Sequence, residues 1–230
     1  MGPVGRVRSP KILVLPPMQI TRHWYKALAP LVLLTSAQAQ SFNIDVGPNL
    51  ILWPEPSSAY GAGAGQAGDW NGVKNPFAGD LLFDITGGLT TVSVQSDVSS
   101  SFSYPFTGLV GDDDAFNSDG QAISEFGPPA TWSFSGLADG QYSVYTYCWD
   151  PANSGTATEV SVVGVPGSVQ TVSGTWAGSP HILGVTFSLH SVSVVGGILD
   201  MQAEPGPAGG SGTVTGFQLV PVASTLSYCF

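Results

Sequence analysis

Basic residues are almost missing from this chain. There are six in 230 residues: Arg6, Arg8, Lys11, Arg22, Lys26 and Lys74. Five of them precede the first acid, Asp45, so charge divides the chain into two segments with different tasks. Beyond residue 39 a single base faces 16 acids, a formal charge of −15. Such a surface repels nucleic-acid phosphates and anionic lipid headgroups, which excludes both as partners. It also leaves few salt bridges to form, so stability must come from apolar burial and backbone hydrogen bonds.

Cysteine is scarce as well. Only Cys148 and Cys229 occur, which excludes a framework of several disulfides and leaves one bridge or two separate thiols. No C-x-x-C or His-rich spacing points to zinc. Long hydrophobic runs are absent; the longest apolar stretch, Ala27–Ser36, is far below the roughly 20 residues that cross a bilayer. It follows the basic stretch Arg22, His23 and Lys26 and precedes Ala37-Gln38-Ala39, which fits the small-x-small rule of signal peptidase. Residues 1–39 therefore read as a signal peptide, with 1–17 a start-site extension ahead of Met18 or a long n-region. The mature chain is expected to begin at Gln40 and to be secreted, extracellular or periplasmic, without inserting into a membrane.

Helical periodicity is nearly absent from the mature chain. Short alternating runs stand in its place: Thr91–Gln95, Thr131–Ser135, Gln141–Trp149, Glu159–Val163, His190–Val195, Gly197–Gln202 and Thr213–Val220. Asp139-Gly140, Gly87-Gly88, Pro166-Gly167 and Gly196-Gly197 supply turns between them. About ten strands are enough for two packed antiparallel sheets. The pattern predicts an all-β sandwich in one domain, residues 41–222, with a tail over 223–230. One helical turn is expected over Asp114–Ser124, opened by acids that suit a helix N-terminus.

Gly63-x-Gly65-x-x-Gly68 matches a dinucleotide fingerprint, but Asp69-Trp70-Asn71-Gly72 follows it with turn chemistry instead of a helix. A Gly/Ala loop is the reading. Asp112, Asp113 and Asp114, with Asp119 five residues on, form the densest charge cluster. Close-packed oxygen ligands suit Ca²⁺, although the spacing is not that of an EF-hand, and a solvated loop capping a helix is the alternative. Hydrolysis needs facing carboxylates or a nucleophile with a base. Glu55, Glu125, Glu159 and Glu204 are widely spaced, His181 and His190 are the histidines left, and no G-x-S-x-G elbow exists. The chain reads as a non-enzyme.

Aromatic residues carry the strongest lead. Tyr145, Tyr147 and Trp149 fall on one face of a strand, with Tyr142, Val144, Thr146 and Cys148 on the other. If the first face meets solvent, its rings stand about 7 Å apart, a spacing suited to stacking on successive sugars. The alternative is that they are core. Trp53, Trp70, Trp132 and Trp176 read as packing residues in the first place; if any pair of them meets solvent, it is Trp70 and Trp176, in Gly-rich loops.

Ser41–Gly47, Pro56–Gly61, Ala64–Asn71, Thr131–Leu137, Gly140–Tyr147, Gly184–Phe187 with His190, and Gly216–Leu219 together resemble a group of uncharacterised exported planctomycete-type proteins. The resemblance implies a jelly roll similar to galactose-binding-like and malectin-like domains, which often bind carbohydrate beside Ca²⁺. Many such proteins end in a Pro-Glu-Pro sorting tail. This sequence stops at Tyr228-Cys229-Phe230 instead, a departure that fits release or a truncated reading frame. The functional expectation is a secreted, non-catalytic binding or adhesion module for neutral extracellular glycan. A structural envelope or matrix protein and a polysaccharide-active enzyme are the alternatives.

Overall fold

The computed structural model describes residues 40–47, 54–73, 79–104, 107–152, 155–207 and 209–223. The expected signal peptide, Trp53, Lys74 and Cys229 lie outside them.

Alternation of apolar and polar residues is what builds the strands. Along β4 (Leu89–Ser96) and β7 (Ala130–Ser135) every second side chain is buried, and β8 (Gly140–Tyr147), β9 (Ala157–Val162), β11 (Phe187–Val194) and β12 (Ile198–Pro205) are built alike. Shorter strands complete the set: β1 (Phe42–Val46), β2 (Trp70–Val73), β3 (Asp80–Phe83), β5 (Ser101–Ser103), β6 (Asp119–Ile123), β10 (Gln170–Ser173), β13 (Gly212–Val214) and β14 (Gly216–Pro221). The order is β11-β8-β14-β1-β2 in one sheet, β10-β9-β12-β7-β4-β3 in a second and β13-β6-β5 in a third.

The two large sheets share one apolar core. Phe42, Ile44, Tyr142, Val144, Phe217 and Leu219 from the five-stranded sheet meet Leu82, Val94, Trp132, Phe134, Val160 and Met201 from the six-stranded one. Phe217 packs edge-on against Phe134 at 5.3 Å and tilted against Trp132 at 5.6 Å. Burying such rings supplies about 25 cal/mol per Å² of apolar surface, the main favourable term here. Over the described residues the fold is thus nearly all β and sandwich-like, with almost no helix.

Four local expectations need correcting. The sheets are not wholly antiparallel, because β1 and β2 run parallel, Asn43 opposite Trp70 and Asp45 opposite Gly72. The run Thr213–Val220 is two strands in two sheets, divided at Thr215. The run Gln141–Trp149 leaves its strand at Tyr147. The helix over Asp114–Ser124 is instead α1 (Asp112–Asn117), followed at once by β6. Ser118 Oγ donates back to the Asp114 carbonyl, ending the helix. At Gly120 the backbone lies so close to the Phe102 ring and the Val214 carbonyl that a Cβ would stand 2.7–2.8 Å from them, and pairing of β6 with β5 and β13 requires that approach. The turn at Gly196-Gly197 has positive φ at both residues (71° and 74°), the geometry of a tight hairpin between β11 and β12.

Candidate functional site

The side chains of β8 that do not enter the main core point to the outer face of the five-stranded sheet. There they meet a cap made of the 57–68 segment, α1 and the 176–187 segment. Trp70, Phe116, Tyr147 and Phe187 form its apolar centre, with Tyr60, Ala62, Tyr145 and Leu189 packed around it. Rings run through the cap in sequence: Trp149 edge-on to Trp176 (5.2 Å), Trp176 stacked on His181 (4.5 Å), His181 on Tyr147 (5.1 Å), Tyr147 on Phe116 (4.9 Å), Phe116 on Trp70 (4.9 Å).

All five aromatic candidates therefore lie in one cluster, four of them under cover. Tyr147, Trp149, Trp70 and Trp176 are all buried, and Tyr145 is half-buried. Of the two readings of these rings, solvent-facing or packed, the solvent-facing one is corrected: β8 presents no open platform, and Trp70 and Trp176 are not an exposed pair. The period-2 rule separates the two faces of a strand correctly; what covers the second face comes from segments distant in sequence. Sequence reasoning missed Tyr60, Phe116, Phe187 and His181. A signal existed in Phe116, the one large apolar residue of an otherwise acidic helix.

Polar atoms in the cap are fastened to one another. Gly63 N–H donates to Tyr147 Oη at 2.7 Å, Tyr147 donates to Gln218 Oε1, and Gln218 Nε2 donates to Asn43 Oδ1 at 2.8 Å. Gln66 Nε2 also reaches Asn43 Oδ1, at 2.9 Å. The glycine pattern serves this seat: a Cβ on Gly63 would fall 2.9 Å from the Phe187 ring and 3.0 Å from Tyr147 Oη. The loop needs glycine to press onto the sheet.

The aspartates of α1 act as clasps. Asp112 accepts from Ser57 N–H at 2.7 Å and Ser57 Oγ at 2.8 Å. Asp113 accepts from Tyr60 Oη at 2.7 Å, Ser179 N–H at 2.7 Å and Ser179 Oγ at 2.9 Å. Asp114 accepts from Thr107 Oγ1. Asp119 sits apart, against Gly47 and close to Asp45. The four acids expected to share a Ca²⁺ are thus not brought together, and among the described residues no three acidic, His or Cys side chains gather as a cation requires. Three consecutive helical residues diverge around the axis, which explains the separation.

Electrostatics in the cap follow burial. Burial lowers His181 to about 4, with Asp113 partly opposing, so the imidazole is neutral at pH 7 and its 3.9 Å approach to Asp113 is not an ion pair. Tyr60 gives its one proton to Asp113, so the 2.6 Å contact with His181 requires the proton on Nε2. Burial would raise Asp113, but hydrogen bonds from Tyr60 and Ser179 outweigh it and hold the carboxyl below its ordinary value. Burial pushes Asp119 up to about 7 and, with Asp119 and Glu55 nearby, raises Asp45 well above the carboxylate range. Cys148 is a buried free thiol, raised by burial, beside the Thr146 carbonyl.

Beside the cap an open cleft of about 420 Å³ is lined by Glu55, Pro56, Ser58, Asp69, Trp70, Phe83 and Gly87. Phe83 is 47% exposed and supplies its main aromatic surface; Trp70 contributes the part of its indole that the cap leaves bare. Asp69 lies against Gly87, whose Cβ position is 2.5 Å from Oδ2. The turn carrying Gly87 is held by Asp84, which accepts from Thr86 N–H, Thr86 Oγ1 and Gly88 N–H. A second hollow of about 270 Å³, including Asp97, Val98, Ile123, Pro128 and Pro129, has no aromatic wall. The first cleft combines ring surface with carboxylate side chains.

No helix among the described residues is long and apolar enough to cross a membrane. No protein-family model matches the chain, and no curated protein does. Among solved structures, the chain is similar to protein YxiM from Bacillus subtilis, with 16% identity and a TM-score of 0.46 over 80% of this chain; it spans 40% of that protein's length. It is also similar to TmCBM61, solved in complex with β-1,4-galactotriose, with 16% identity and a TM-score of 0.31 over 65% of this chain and 97% of that one.

Proposed function

We propose that this protein is a secreted, non-catalytic carbohydrate-binding module of jelly-roll, galactose-binding-like type, and that its ligand enters the cleft bounded by Trp70 and Phe83. The observation that carries the reading is the pairing, in one open cleft, of an exposed ring with the carboxylates of Glu55 and Asp69 and the hydroxyl of Ser58. A pyranose presents an apolar face to a ring and hydroxyl donors to carboxylates, and acidic glycans are repelled. Tyr147, Trp149 and Trp176 serve in this reading as the support that holds Trp70. Secretion rests on the basic, apolar and small-residue pattern of residues 1–39.

Calorimetric titration with neutral β-galacto-oligosaccharides tests the reading. Phe83→Ala should cut affinity roughly tenfold or more with unchanged folding, as expected for loss of one stacked ring worth about 1.5 kcal/mol. Unchanged affinity in that variant would remove the cleft from consideration. Burial of Tyr147, Trp149, Trp70 and Trp176 favours a second reading, a structural envelope or matrix protein without a small ligand. Absence of binding across a broad glycan array, with and without Ca²⁺, would support it.

A further inference from the structure

Glycines hollow out the outer face of the five-stranded sheet around one buried acid. Asp45 on β1 stands between Gly216 of β14 and Gly72 of β2. These two, and Gly47 just past β1, each leave open the space that a Cβ would fill. At Gly47 the Asp119 carboxyl takes it, with Oδ1 2.2 Å and Oδ2 2.5 Å from the Cβ position. At Gly216 the Phe116 ring takes it, at 2.5 Å, and at Gly72 Glu55 Oε1, at 2.2 Å. Asp45 is 6% exposed and Asp119 3%, and Oδ1 of neither has a hydrogen-bond donor.

We infer that Asp45 and Asp119 keep a proton between them at neutral pH, and that this proton latches β6, with the three-stranded sheet it centres, onto β1. Two ionised carboxylates in one buried site repel each other and have no donor to share. A protonated carboxyl supplies the missing O–H and removes one charge. The surroundings favour that state. Glu55, seated over Gly72, adds negative charge to the field at Asp45. The acids of α1 are turned to Ser57, Tyr60 and Thr107, and β2, β5, β13 and β14 carry no titratable side chain. Lys74, the one base beyond residue 39, lies outside the described residues. Burial pushes Asp119 up to about 7 and raises Asp45 in the same direction. Once β6 swings away, both carboxyls return to about 3.9, the ordinary value. The latch is therefore complete in acid and weakens as pH rises through about 7.

Hydrogen exchange of the whole chain, read by mass spectrometry and corrected for the chemical exchange rate, tests this. Protection of the β6 amides should fall roughly tenfold or more from about pH 6 to about pH 8, while that of β4 and β7 holds. Asp119→Asn, and separately Asp45→Asn, should abolish the fall, because neither variant has two carboxylates to hold apart. Infrared spectra of the unaltered protein should show a protonated carboxyl at pH 6 that disappears in alkali; this measurement stands even where a variant fails to fold. Protection of β6 that ignores pH, falls equally in every strand, or falls as steeply in both variants overturns the inference. Absence of the protonated carboxyl at pH 6 overturns it in favour of an ionised pair neutralised by a cation.

Discussion

The side-chain amide of Asn71 completes both backbone hydrogen bonds of Phe83: Phe83 N–H donates to Oδ1 at 2.7 Å, and Nδ2 donates to the Phe83 carbonyl at 2.8 Å. Nδ2 also donates to the Asn43 carbonyl at 2.9 Å. One amide thus substitutes for a strand where β2 of one sheet meets β3 of the other. It also fixes the residue that presents the cleft's exposed ring.

Replacing that amide should therefore damage fold and cleft together. Asn71→Ala is expected to cost about 2–4 kcal/mol, since three hydrogen bonds vanish and buried backbone groups lose partners. Urea unfolding measures this; a loss below about 1 kcal/mol would show that water or a shifted strand takes over the role.

Acid should loosen the cap. Free histidine titrates near 6.5, whereas His181 in the fold titrates at about 4. A base with a lowered folded value contributes stability that is complete above about pH 6.5 and is lost as pH falls toward 4, on the order of 3 kcal/mol. Asp113, also lowered, adds a loss in the same direction as it protonates. Melting temperature followed from pH 7 to 4 should fall, and His181→Phe should flatten the upper part of that decline. An equally steep decline in the variant would place the acid sensitivity elsewhere.

Alkali should act at a different place. Asp119 titrates at about 7 in the fold, and its Oδ1 has no hydrogen-bond donor. An acid with a raised folded value contributes stability that is complete below about 4 and lost as pH rises through about 7. Asp119→Asn keeps the shape without the charge, so the variant should melt higher than the parent at pH 8, by a margin that shrinks as pH falls toward about 4. Lower melting at pH 8 would mean that the ionised carboxylate is in use.

Ring truncations distinguish support from surface. Trp149 is 5% exposed and packs edge-on to Trp176, so Trp149→Ala should cost about 3–5 kcal/mol. Tyr145, half-buried at the margin of the cluster, should cost less when changed to Ala. Denaturant midpoints for the two variants give the comparison, and equal losses would contradict the deeper burial of Trp149. Gly63→Ala should destabilise by about 1–3 kcal/mol, because the methyl group has no room beside Phe187 and Tyr147.

The division between sequence and tertiary structure can be drawn residue by residue. Alternation along Thr91–Gln95, Thr131–Ser135 and His190–Val195 determined strands and their inner faces, because a pleated strand turns successive side chains to opposite sides whatever its partners. Composition likewise determined the near absence of helix and the acidic field. Only the tertiary structure decided what lies over the outer face of β8. Tyr145 and Tyr147 carry the same local pattern whether they meet water or Phe116, and Phe116 arrives from 31 residues before Tyr147. It likewise decided that Asp119 begins a strand, since the ladders to β5 and β13 that hold it there join segments far apart in the chain. Register between strands also placed Glu204 directly opposite Glu159, two acids 45 residues apart that no local spacing relates. Local periodicity acts through neighbours a few residues away. Burial, shifted acidity and the cleft at Phe83 arise from contacts made only when distant segments close over one sheet.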